Sequence, residues 1–74
     1  MSLVSFVNTK LEANEDFAAF WVDENGIDSW NVYQENSYVG QFDPVKMECW
    51  GGCSNELCAA LQRAVSEFKG EIMI

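Results

Sequence analysis

Seventy-four residues leave room for one domain and none for a second. With 49% apolar and 14% aromatic residues the chain is too hydrophobic to be disordered, and a domain this short needs that density to hold a core. Twelve acidic against four basic residues give a net charge of −8, a field that repels nucleic-acid phosphates and anionic lipid; it suits a basic protein partner, or simply the solubility of a small surface.

In chain order, the first segment is 3–7. Leu3, Phe6 and Val7 suit a helical stripe, whereas Val4, Phe6 and Val7 have β propensity, and strand is the expectation. The segment lacks a basic flank and is too short for a signal peptide, and no run approaches the roughly 20 apolar residues of a membrane span, so a cytoplasmic protein is expected. Residues 17–23 read as a strand that ends at Asn25-Gly26, the commonest two-residue hairpin turn. That turn predicts a register in which Glu24 faces Ile27, Val22 faces Ser29, Trp21 faces Trp30 and Ala19 faces Val32. Trp21, Trp30, Ala19 and Val32 would then share one sheet face, with Phe20, Val22, Ile27 and Tyr33 on the other. A second turn near Glu35-Asn36-Ser37 returns the chain through residues 38–42. Asp43-Pro44 ends this strand, because proline cannot donate to a ladder. The expected unit is a three-stranded antiparallel meander.

Next comes Trp50-Gly51-Gly52, which reads as a tight loop with Trp50 folded onto the core; the alternative is a small anion site at the helix start or an exposed tryptophan contact. The clearest element follows. Leu57, Leu61, Ala64, Val65 and Phe68 form one stripe of a helix over 55–69, with Ser54 or Asn55 as N-cap and Lys69-Gly70 as its stop. Residues 71–74 resemble a short final strand. The whole is an α+β domain over 1–74: an antiparallel sheet of three to five strands with one C-terminal helix packed on one face. The second sheet face is left for solvent, the N-terminal segment or a partner.

The chain has no histidine, so neither a Ser-His-Asp nor a Cys-His arrangement is available, and it lacks the glycine-rich phosphate-binding motifs. Seventy-four residues also make a poor cleft for a pair of carboxylates, and no enzyme and no cofactor are expected. Cys49, Cys53 and Cys58 are spaced C-x3-C-x4-C, unlike the C-x2-C pairs of structural zinc sites, and no metal is expected there. Cys58 reads as a small core residue. Cys53, just before the helix, is the thiol whose pKa the helix dipole would lower. An odd cysteine count suits free thiols in a reducing compartment.

The carboxylates are spread over turns and strand ends. Asp23, Glu24 and Asp28 cluster around Asn25-Gly26, and Glu35 marks the next turn. Such a display either solvates the turns or imitates the charge of a phosphate backbone. The partner-binding residues predicted on this basis are Asp23, Glu24, Asp28 and Glu35, with Trp21 or Trp30 as apolar anchor.

In size, acidity, lack of catalytic residues and compact α+β pattern, the chain resembles small phage- or mobile-element-encoded inhibitors of bacterial defence systems, the anti-CRISPR proteins among them. The resemblance covers the whole chain through its general character, not through a motif, and no residue carries over. It implies a protein that blocks a basic, nucleic-acid-handling surface of a defence complex in the host cytoplasm, in the manner of a DNA mimic. The alternatives are an assembly module that buries its second sheet face as a homodimer, and a thiol- or metal-dependent regulator built on the cysteines.

Overall fold

A computed structural model describes residues 2–24 and 29–72, the side chains of Glu71 and Ile72 excepted. The chain starts with a helix, α1 (Leu3–Ala13), and not with the expected strand. Ser2 caps it, its hydroxyl accepting the Ser5 N–H at 3.2 Å. The apolar stripe does not stop at Val7: Leu3, Val7 and Leu11 recur every four residues, and Phe6, Val7 and Leu11 are buried. Three turns of one-sided burial outweigh the β propensity of Val4, Phe6 and Val7, which is a weak preference that packing readily overrides.

Four strands follow: β1 (Phe20–Glu24), β2 (Trp30–Gln34), β3 (Ser37–Asp43) and β4 (Glu48–Gly51). They form one antiparallel sheet in the order β1-β2-β3-β4. The expected meander is there, with β4 added beyond it. The helix α2 (Asn55–Ile72) closes the described chain. Ser54 is its cap, accepting the Leu57 N–H at 3.1 Å. The helix runs on through Gly70, where a Cβ would meet nothing, and residues 71–72 are helical where a final strand was expected.

The predicted register is wrong. The Asn25-Gly26 turn lies outside the described residues, but the strands on either side pair Glu24 with Trp30, Val22 with Val32 and Trp21 with Tyr33. This is three places from the register a two-residue turn would impose. An odd shift exchanges the faces of one strand relative to the other, so Trp21 and Trp30 stand on opposite sides of the sheet. Burial explains the choice. The observed register puts Val22, Val32 and Trp30 on one face, where all three are buried with Phe42. Enclosing such side chains contributes about 1.5–3 kcal/mol each, more than a turn preference offers.

The core is a single cluster in which Val7 and Leu11 of α1 and Leu57, Leu61, Ala64 and Val65 of α2 meet Val22, Val32 and Phe42 of the sheet. The two helices also touch each other: the Phe6 and Phe68 rings lie 5.2 Å apart, and Lys10 Nζ is 3.5 Å from Glu67 Oε2. α1 also closes the outer edge of β1. The Asn8 side chain accepts the Val22 N–H at 2.8 Å and donates to the Val22 carbonyl at 2.9 Å, as a neighbouring strand would.

Candidate functional site: the open face of the sheet

Because successive strand residues alternate between faces, the register that buries Val22 and Val32 sends Trp21 and Asp23 of β1, Asn31 and Tyr33 of β2, Gln41 of β3, and Glu48 and Trp50 of β4 to the other side. A bulge brings in one more residue. Val32 pairs with Gly40, but Tyr33 pairs with Tyr38, so Val39 is an extra residue in β3 and Tyr38 is set beside Tyr33. Trp21, Tyr38 and Trp50 remain 39%, 58% and 45% exposed. None of these side chains belongs to the core cluster that the two helices share with the other face.

The aromatic groups are held in place. Trp21 and Tyr33 stack at 4.3 Å with their planes 16° apart, and Tyr38 presents its edge to Tyr33 at 6.0 Å. The Trp21 indole Nε1–H donates to the Glu35 carbonyl at 2.7 Å. The Glu35 N–H in turn donates to the Ala19 carbonyl at 2.8 Å. Glu35 occupies the left-handed region, with φ of 55°, in the two-residue turn between β2 and β3. The turn that supplies a carboxylate therefore also fixes the orientation of the indole.

The charge on this face has one sign. Asp23 and Glu48 stand on it, and Glu35 lies at its Trp21 end. One oxygen of Asp23, Oδ1, is enclosed and accepts no hydrogen bond. None of the basic residues is on the strands: Lys10 is on α1, Arg63 and Lys69 are on α2, and Lys46 is in the turn between β3 and β4, near Asp43.

The predicted contact residues divide as follows. Trp21, Asp23 and Glu35 gather on or beside the open face. Glu24 is exposed at the end of β1, on the alternate side of the strand. Asp28 lies outside the described residues. Trp30 is not an anchor: it is 7% exposed, and its ring packs 5.8 Å from Phe42 in the core. Tyr33 and Tyr38 were missed, and Trp50 was expected on the core, with an exposed contact only as the alternative. Alternation in β2 places Tyr33 once the strands are correctly registered, but in β3 it would set Tyr38 with Phe42 on the core side, and only the bulge reverses that.

The Trp50-Gly51-Gly52 segment is not a loop over the core. Trp50 and Gly51 end β4, and Trp50 faces outward. The Gly52 N–H is engaged by the Val39 carbonyl at 2.8 Å and is not free to hold an anion. Cys49, Cys53 and Cys58 are free thiols, half-buried and close enough for Cys49 to hydrogen-bond with each of the others. Burial, followed by the Cys58 thiol, pushes Cys49 far up from its ordinary value. Burial also raises Cys53, against the expected lowering by the helix dipole. Both are protonated at neutral pH and therefore poor nucleophiles. Among the described residues no group of histidine, cysteine or carboxylate side chains is placed to hold a metal ion, and no helix is long and apolar enough to cross a membrane.

Comparison of the chain with protein-family models, with curated proteins and with solved structures found no match.

Proposed function

We propose that this protein is a non-catalytic binding protein, and that the open sheet face docks on a basic, nucleic-acid-handling surface of a bacterial defence complex and blocks it, in the host cytoplasm. The observation that carries the reading is the make-up of that face: Trp21, Tyr33, Tyr38 and Trp50 among Asp23, Glu35 and Glu48, with no basic residue on its strands. Exposed aromatics are the commonest anchors of protein interfaces. A face of single negative charge speeds encounter with a cationic surface and repels nucleic acid itself. The fixed Trp21–Tyr33–Tyr38 array adds to this, since side chains already held in place lose little freedom on docking.

The homodimer alternative draws on the same exposed aromatic area. It is the weaker reading, because two copies docked face to face would bring both sets of carboxylates into one interface.

The test is capture from bacterial lysate at low and high salt, followed by competition with nucleic acid. The reading expects a basic partner that salt releases and nucleic acid displaces, and whose capture falls at least about tenfold when Asp23 and Glu48 are both changed to Lys. Binding indifferent to ionic strength, or turnover of a small molecule, would overturn it.

A further inference from the structure

We infer that the open face is selective for arginine side chains, and does not respond merely to positive charge. This rests on the reading above that the partner is cationic. The geometry of the aromatic row supports it. Neighbouring strands are about 4.8 Å apart, and the Trp21 and Tyr33 rings stack across them at 4.3 Å, nearly parallel. Rings so arranged stand upright on the sheet. Tyr33 is then enclosed, with Trp21 on one side and the edge of Tyr38 on the other. Trp21 belongs to an edge strand, so among the described residues no further strand stands beyond it, and the residue is 39% exposed. Its tilt is held by the bond from Nε1 to the Glu35 carbonyl.

Next to this surface, two residues along the same strand and on the same face, is the half-buried carboxylate of Asp23, with Oδ1 enclosed. An aromatic plane flanked by a carboxylate matches a flat, delocalised cation that stacks through its face and carries its charge along its edge. Guanidinium is such a group. A lysine ammonium is a compact, strongly hydrated point charge and gains little from stacking. Nucleic-acid-binding surfaces carry arginine for the same geometric reason, because its planar fork pairs with phosphate. A protein that copies phosphate charge but adds an upright indole would separate the arginines of such a surface from its lysines.

The probes are four: a decapeptide of arginine, one of lysine, an uncharged peptide of equal length, and a single-stranded oligonucleotide, each titrated against the full chain at low salt with sedimentation run in parallel. The inference expects the arginine peptide to bind about tenfold more tightly than the lysine peptide. Trp21→Leu is expected to bring the two within about twofold of each other by weakening the arginine peptide more than the lysine peptide, since Leu removes the π face and keeps only an apolar side chain. If Trp21→Leu unfolds, Trp21→Phe takes its place and is expected to narrow the preference, since the smaller ring holds a guanidinium less well than an indole does. Equal affinity for both cationic peptides would overturn arginine selectivity and leave the cationic-partner reading standing. A preference that survives in folded Trp21→Leu would also overturn the inference. Failure of both cationic peptides to bind, tighter binding of the oligonucleotide, or self-association that occludes the face would bring down the inference together with the reading it rests on.

Discussion

Glu35 is the residue at which backbone and surface chemistry meet. Its φ of 55° is uncomfortable for any side chain other than glycine's, yet its N–H and C=O are both engaged, by Ala19 and by the Trp21 indole. A left-handed conformation costs an ordinary residue about 1–2 kcal/mol, of which glycine's greater freedom in the unfolded chain takes back part. Glu35→Gly is therefore expected to stabilise the fold by up to about 1 kcal/mol, seen as a raised thermal midpoint, while removing a carboxylate from the candidate site. Asp43 shows a second carboxylate put to structural use. Its Oδ1 accepts the Val45 and Lys46 N–H groups at 2.8 and 3.0 Å, and those bonds, Lys46's first, hold its pKa below the ordinary 3.8. A depressed carboxylate stabilises the fold above its ordinary pKa, and that contribution is lost as pH falls through the lowered value. Urea midpoints followed downward from pH 7 should thus show a loss below about pH 4 that is smaller in Asp43→Asn, where an amide oxygen still accepts both donors without a charge.

At the scale of elements, the joint between β3 and β4 is the tightest in the sheet. Gly40 pairs with Gly51, whose φ is 85°, and a Cβ on Gly40 would collide with the Trp50 carbonyl. Backbone cannot move aside as a flexible side chain does. Gly40→Ala is expected to cost about 3 kcal/mol or more in denaturant unfolding and to displace Trp50 from the open face. This pairing also shows why parts of the fold were hard to read. α2 was legible because Leu57, Leu61, Ala64, Val65 and Phe68 repeat over several turns. α1 was obscured because Val4, Phe6 and Val7 favour strand locally, and only Leu11, a turn later, reveals the helical period. β4 spans four residues and ends at Gly51, too short for alternation to register. The turn signal at Asn25-Gly26 was real as a local preference but did not set the pairing, since burial of Val22, Val32 and Trp30 decides it. Of the candidate site, the charged residues could be guessed from their clustering in sequence. The aromatic row could not, because it exists only across strands, after a bulge has placed Tyr38 beside Tyr33.

The whole molecule separates its tasks by layer. Helices and the inner sheet face carry the core and most of the basic side chains; the outer face carries aromatics and carboxylates. That arrangement leaves a sheet with two outer edges, and β1 is one of them. Its exposed backbone pair at Val22 is met not by a strand but by one carboxamide reaching over from α1, Asn8. Asn8→Leu would leave a donor and an acceptor bare, at a cost of about 1–3 kcal/mol. The larger effect lies outside the single chain. An uncapped border strand is a template for its own kind. Stacking of copies should then rise steeply with concentration in Asn8→Leu, visible as amyloid-dye fluorescence and light scattering that the parent sequence lacks under the same conditions. A lone helix amide would be the stopper that keeps a two-layer sandwich from lengthening into a fibre.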